Sequence, residues 1–226
     1  IITDWKQLQK HSFEDIIVEK LRSYFGKTRE QLKKQFGVED CSAKNLNEVL
    51  LAKMLGIKGK IAYTDEFQKA CIVPKTIRVQ RNGKIKESMS FPTFDFIKLS
   101  KETEWEESEL YNYIAPTKFL FVIFQENDDG EYVFERVKFW NIPNDDLDEV
   151  QRVWERTVKI IREGVVLEDS LCGKKNNLPK KTESRVAHVR PHGRNGDDNL
   201  PLPTGGVMTK QCFWLNNTYI EEQIKE

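Results

Sequence analysis

The chain has 226 residues, enough for one large domain or two small ones with a substantial core. Its 36 basic and 36 acidic side chains cancel, so overall charge gives no argument for a nucleic-acid partner and only local charge can. No stretch approaches the roughly 20 apolar residues of a membrane span, and no basic segment followed by an apolar run marks a secretory signal.

The chain opens on Ile1 and reads as an intracellular piece of a longer protein. Cys41, Cys71, Cys172 and Cys212 are far apart and form no CxxC, which points to buried thiols rather than to disulfides or a zinc site. His11, His188 and His192 are too scattered for a zinc constellation.

Ser12-Phe-Glu-Asp15 has the form of a capping box, and Phe13, Ile16, Ile17, Leu21 and Phe25 follow at helical spacing. Thr28-Arg-Glu-Gln31 is a second box, opening a short helix that Gly37 can end. Asn45-Leu-Asn-Glu48 is a third, opening a helix through Leu50 and Met54 that stops at Gly56. Lys20, Arg22, Lys27, Arg29, Lys33 and Lys34 make this region locally basic, the ordinary pattern of a solvated helix face.

Asp65 to Phe91 reads as an extended lead-in followed by two strands around a tight turn. Ile72, Val73, Ile77 and Val79 supply the first strand, and Ile85, Met89 and Phe91 the second. Asn82-Gly83 between them predicts a type I′ hairpin. Thr93–Leu99 can extend the sheet, and the acidic stretch Glu102–Glu109 reads as helical up to Tyr113. Lys118–Gln125 (KFLFVIFQ) is the most apolar short run and predicts a central strand buried on both faces. After the turn at Asn127-Asp-Asp-Gly130, Tyr132–Trp140 returns as a strand. Asp145–Arg162 carries Leu147, Val150, Val153, Trp154, Val158 and Ile161 on one stripe, so Trp154 belongs to the core.

From Gly173 to Gly206 the character changes to basic: Lys174, Lys175, Lys180, Lys181, Arg185, Arg190 and Arg194 meet only Glu183 before Asp197. Arg185–Arg190 alternates like a strand, RPHGRNGDDNLPLPTGG reads as a long flexible loop, Val207–Leu215 as a last strand, and Thr218–Glu221 caps a final helix.

Two constellations can carry chemistry. In the loop, Arg190 and Arg194 can offer bidentate forks to guanine edges or phosphates, His192, Asn195 and Asn199 add groove-compatible donors and acceptors, and Gly193 and Gly196 permit close backbone approach. The bland alternative is a solvated basic loop.

Around the first strand, acids at Asp65 and Glu66 precede Lys75. This is nearly the layout of a Mg²⁺-dependent nuclease, which needs carboxylates for the metal and a lysine for the attacking water or developing charge. The second acid of that layout stands two residues before the lysine. Here that position is Val73, which cannot ligate a metal.

With its flanks, Lys75-Thr-Ile-Arg-Val resembles the mismatch-repair endonuclease MutH and the related GATC-cutting restriction endonucleases. The resemblance extends over most of the chain. Leu50-Leu-Ala-Lys-Met-Leu-Gly56 is similar to the family helix that contributes an extra active-site glutamate, with Ala52 in that glutamate's place. Glu66-Phe67 resembles an Asp-Phe whose Asp binds metal, Val73 stands for the second metal-binding acid, Lys75 matches the catalytic lysine, and Lys118 a further site lysine. Arg190-Pro191-His192 resembles an Arg-Pro-Lys loop that reads the GATC major groove, and Phe213-Trp214-Leu215 a Phe-Tyr-Leu whose aromatic contacts DNA.

The resemblance implies an α+β, PD-(D/E)xK nuclease-like mixed sheet flanked by helices, formed by residues 1–226 as one domain. Both metal-side acids are altered and the helix acid is gone, while the DNA-reading elements stay recognisable. That pattern is similar to the C-terminal halves of two-domain GATC-cutting type II restriction endonucleases of the staphylococcal type. It implies a catalytically silent effector domain in the bacterial cytoplasm.

Its expected partners are double-stranded DNA containing GATC and an N-terminal catalytic domain of the same chain. Mg²⁺ is expected to serve the parent enzyme, and no cofactor this domain. Lys180 and Lys181 would add phosphate contacts beside Arg190, Pro191, His192, Arg194 and Trp214. Two rivals remain at this stage. One is a working nuclease whose metal site is rebuilt from Asp65, Glu66, Glu87 or Asp95; the other is a protein-interaction module.

Overall fold

The structure is a computed structural model that describes residues 5–38, 46–170 and 173–225. After a 3₁₀ turn at Trp5–Gln9 come helices α1 (Phe13–Arg22), α2 (Arg29–Phe36), α3 (Leu46–Met54) and α4 (Asp65–Lys69). Strands β1 (Ile72–Val79) and β2 (Met89–Thr93), helices α5 (Phe96–Leu99) and α6 (Glu109–Ile114), and strands β3 (Lys118–Glu126) and β4 (Tyr132–Trp140) follow. The long helix α7 (Asn144–Glu163) leads into β5 (Leu167–Ser170), β6 (Gly173–Asn176), β7 (Ala187–Pro191), β8 (Asn199–Pro201), β9 (Val207–Thr209), β10 (Gln211–Leu215) and α8 (Asn217–Lys225). The class is α+β, as the sequence predicts, with a mixed sheet flanked by helices.

The chain divides into two compact units. The first joins Ile1–Lys86 to Thr117–Asn141 and the second joins Glu87–Pro116 to Ile142–Glu226. The first unit is organised on a sheet of order β1-β3-β4, with β1 parallel and β4 antiparallel to the central β3. Phe119 to Phe124 are all buried, which is what a strand covered on both faces demands of its sequence.

On one face of this sheet, Ile72, Leu120, Val122, Phe124 and Phe134 share a core with Ile17, Leu21, Leu32, Leu50, Leu51 and Phe67 of the helices. Two of the three expected capping boxes form: Ser12 closes on Asp15, and Thr28 on Gln31. Gly37 ends α2 in the left-handed conformation that a side chain would strain. The third box begins at Asn45, which lies outside the described residues.

The expected hairpin is corrected. Gln80 N–H bonds to Lys84 O (2.8 Å), Gly83 N–H bonds to Gln80 O (2.8 Å), and Val79 bridges Ile85, so a tight turn does form. Gly83 takes positive φ, but Asn82 does not, which excludes type I′. Beyond the bridge the strands part. β1 takes the buried β3 as its parallel partner, and β2 pairs antiparallel with β10 in the other unit's sheet. Local turn chemistry fixed the turn, whereas burial of apolar area fixed the partners.

The second unit holds the antiparallel sheet β2-β10-β7. Val150, Val153, Trp154, Val158 and Ile161 form the buried stripe of α7. Trp154 is core, as expected, with its ring 5.5 Å from that of Trp105 and its Nε1–H donated to Glu102 (2.8 Å). Residues 96–99 form α5 rather than an extension of the sheet, because Asp95 Oδ1 caps it by accepting Ile97 N–H (2.8 Å) and Lys98 N–H (3.0 Å). The acidic stretch is a 3₁₀ turn at Trp105–Glu107 followed by α6.

Arg185 donates to Asp146 and to Glu222, and Tyr219 O–H donates to Asp146 (2.7 Å). This network ties α7, the entry to β7, and α8 together. Cys212 is buried, but Cys71 is exposed, at positive φ in the turn before β1. Cys41 and Cys172 lie outside the described residues.

Candidate functional site

The nuclease-like positions sit in the first unit. Ala52 is buried on α3 within the core on the helical side of the sheet. Asp65 and Glu66 form the first turn of α4, directly before β1. The register pairs Ile72 with Lys118, Val73 with Phe119 and Lys75 with Phe121. Paired residues of a parallel ladder share a face and neighbours alternate. Val73 and Lys75 therefore lie on one face of the sheet, while Lys118 lies on the other with Ile72.

There Lys118 Nζ is engaged by Glu14 of α1, and both side chains are about one-third exposed. The hydrogen bond from Lys118 holds the Glu14 carboxyl below the usual carboxylate range. Sequence reading missed Glu14 as a site residue. It was visible only as a first-turn acid of α1, and its partner is more than a hundred residues away.

Ala52 and Val73 offer no oxygen, and Asp95 spends its Oδ1 on the cap of α5 in the second unit. Among the described residues, no three His, Cys, Asp or Glu side chains gather closely enough to hold a metal ion.

The basic loop builds a more ordered arrangement. β7 and β10 pair antiparallel, with Trp214 opposite His188 and Cys212 opposite Arg190. His188, Arg190 and His192 follow one another at the two-residue period that puts side chains on one side of a strand. All three meet Trp214. The Arg190 guanidinium carbon lies 4.8 Å from the indole centre, the His192 ring meets it edge-on at 5.1 Å, and the His188 ring lies nearly parallel at 6.4 Å. Trp214 Nε1–H donates to Arg190 O (3.2 Å), fixing the indole against the strand that carries the arginine.

His188 is 3 % exposed and its Nδ1 pairs with Asn216 Oδ1 (2.6 Å). Burial pushes its pKa down despite that bond, and the charges of Arg190 and Lys181 push the same way. Arg190, Pro191 and His192 are exposed, and Trp214 is half-buried. This is the geometry of an aromatic platform presenting a pre-oriented guanidinium.

The segment after Arg190 is not loop throughout. β8 and β9 pair as a short hairpin, and His192 N–H bonds to Lys210 O (2.8 Å). Asp198 accepts Arg194 N–H (3.0 Å) and pairs with Lys210 Nζ (2.7 Å), contacts that hold its carboxyl below the usual range. A Cβ on Gly193 would lie 3.0 Å from both Asn195 O and Thr209 Cγ2, so glycine is needed there for loop packing, whereas Gly196 faces open space.

Arg194 itself is 92 % exposed, with a 3.9 Å approach to Asp198. Lys180 and Lys181 are exposed at the 3₁₀ turn before β7, and Lys181 Nζ donates to Asn217 Oδ1. Sequence reading named Trp214 but not its role as a shared platform. The alternation of His188, Arg190 and His192 was the signal that would have shown it.

No family model matches the chain. It is 34 % identical, over an alignment of 266 residues, to the type II restriction enzyme Sau3AI of Staphylococcus aureus, and the match takes in all of this chain. The chain spans about half of that enzyme's length, 54 %. Among the described residues, no helix is long and apolar enough to cross a membrane.

Proposed function

Because the whole chain is homologous to about half of a type II restriction enzyme, we propose that it is a DNA-binding domain of such an enzyme, reading GATC without cutting it. The observation that carries this reading is the contrast between the two candidate sites. Arg190, His192 and Trp214 form an exposed, pre-oriented basic and aromatic surface. The nuclease-like positions lack two of their acids, and their second lysine is already neutralised by Glu14.

A guanidinium held on a ring loses little freedom when it forms two bonds to guanine O6 and N7, which favours base readout. Lys180 and Lys181 would contact phosphates, adding affinity without sequence information. Mg²⁺ would serve the cutting half of the longer protein.

Such a domain can act only by differential binding: on DNA, it favours the state in which its partner half is competent. Coupling of this kind is about 1–3 kcal/mol, so stimulation of roughly 5- to 150-fold is expected. The test is a time course of plasmid cleavage by the longer protein on one-site and two-site GATC substrates, alongside the 226-residue chain with Mg²⁺.

The expected result is faster loss of the two-site plasmid, rescue of the single-site plasmid by a short GATC duplex, and no cleavage by the chain alone. Arg190→Ala should abolish the stimulation and leave slow basal cutting. Equal rates on both plasmids with no response to the duplex would refute the effector role. Mg²⁺-dependent nicking by the purified chain would instead favour a rebuilt carboxylate site.

A further inference from the structure

The second unit holds a buried imidazole, His188 on β7. It is 3 % exposed, too enclosed to touch a partner molecule, yet its ring lies along the Trp214 indole with 16° between the planes. A histidine in a core is costly unless its polar atoms are satisfied, and an apolar side chain would fill the space without that cost. The bonds around it show what the imidazole supplies.

Asn216, at the corner between β10 and α8, is itself buried. Its Nδ2 donates to Ser184 O (2.7 Å) and Arg185 O (2.9 Å), just before β7. Turning the amide over would set its oxygen against those carbonyl oxygens, so the amide has a single orientation. Its Oδ1 therefore faces His188 Nδ1 at 2.6 Å, and an amide oxygen can only accept. The His188 proton is thus on Nδ1, and burial, which pushes the pKa down, keeps the ring neutral. A ring tied at one nitrogen and packed around keeps one plane, and the indole lies along that plane.

Trp214 carries this order to the surface. Its Nε1–H donates to Arg190 O (3.2 Å), and the Arg190 guanidinium carbon lies 4.8 Å from the indole centre. We propose that His188, fixed by Asn216 as the Nδ1–H tautomer, is a positioning residue that sets the plane of Trp214 and through it the direction of Arg190. Its consequence for DNA rests on the base-reading role of Arg190, whereas its geometry is testable without DNA.

The first measurement uses the ¹⁵N-labelled 226-residue chain alone at neutral pH. Long-range ¹H–¹⁵N spectra should show His188 protonated at Nδ1 and bare at Nε2. The Trp214 Nε1–H should be slowed in exchange by its bond to Arg190 O, and His188→Ala should remove that protection. A proton on Nε2, or the same Trp214 protection in wild type and His188→Ala, overturns the proposal. His188→Phe keeps a flat ring without the Nδ1–H and serves if the Ala variant fails to fold. It too should expose the Trp214 Nε1–H, and full protection in it would overturn the role of the tautomer.

Anisotropy with GATC and scrambled duplexes, at one salt concentration, reads the consequence. Each His188 variant should lower the preference for GATC about two- to fivefold, the worth of the exposed stack on Arg190, with affinity for the scrambled duplex little changed. Equal losses on both duplexes, or a wild-type preference that the variants retain, overturn the positioning role. A wild type with no preference for GATC refutes base reading by Arg190 instead, and the spectra then decide the positioning role.

Discussion

Replacing Arg190 by Ala should damage sequence reading more than any other single change in the loop, and the structure sets the size of the effect. The guanidinium rests 4.8 Å from the Trp214 indole centre, an exposed stacking contact worth about 0.5–1 kcal/mol. A bidentate contact to a base is worth about 1–3 kcal/mol of discrimination. Because the stack already restricts the side chain, little ordering cost is subtracted, and the loss on GATC should be roughly 5- to 150-fold.

Arg194 offers a control of the same chemistry. Its side chain is 92 % exposed and only loosely approached by Asp198, so it must be ordered on binding. Losing it should cost less than about 1 kcal/mol. Fluorescence anisotropy with GATC and scrambled duplexes, at one fixed salt concentration, measures both variants. Arg190→Ala should lower affinity for GATC towards that for the scrambled duplex. If the two variants lost affinity equally, or if Arg190→Ala kept its preference for GATC, the platform argument would be wrong.

Lys180→Ala should weaken binding to all duplexes alike and lower the salt slope by about one unit. Lys181→Ala should do less, because its ammonium is already shared with Asn217; a set of affinities across salt concentrations separates them. Asp146→Ala should destabilise the second unit by about 1–3 kcal/mol, chiefly by stranding the buried Tyr219 hydroxyl, since Arg185 is half-exposed and its ion pair is screened; a thermal melt at neutral pH reads this.

His188 should make stability fall as pH drops below about 6.5, the ordinary unfolded value. Its folded pKa is depressed, so the unfolded state takes up the proton first. The effect is absent above that pH and grows until the folded His188 also titrates. Melts of wild type and His188→Gln across pH 5–8 should converge at the acid end, and parallel curves would refute it.

Much of this protein was determined by its sequence. Ser12 with Asp15 and Thr28 with Gln31 close local boxes, Gly37 supplies a left-handed cap, and the apolar stripe of α7 buries as its spacing demands. These features depend on residues three or four apart, or on unbroken periodicity, so a linear reading captures them. The central position of β3 was legible for the same reason, since only a strand covered on both faces carries KFLFVIFQ.

Pairing at long range was decided elsewhere. Nothing local distinguishes a β1–β2 hairpin from two strands in separate sheets; that choice follows from which partner buries more apolar surface. The seating of Glu14 on Lys118, the approach of Arg78 to Tyr132, and the meeting of His188, Arg190 and His192 on Trp214 likewise join elements far apart in the chain. Sequence supplied each of these groups with its chemistry. Their neighbours were set by strand register, where a shift of one residue would turn every side chain to the opposite face.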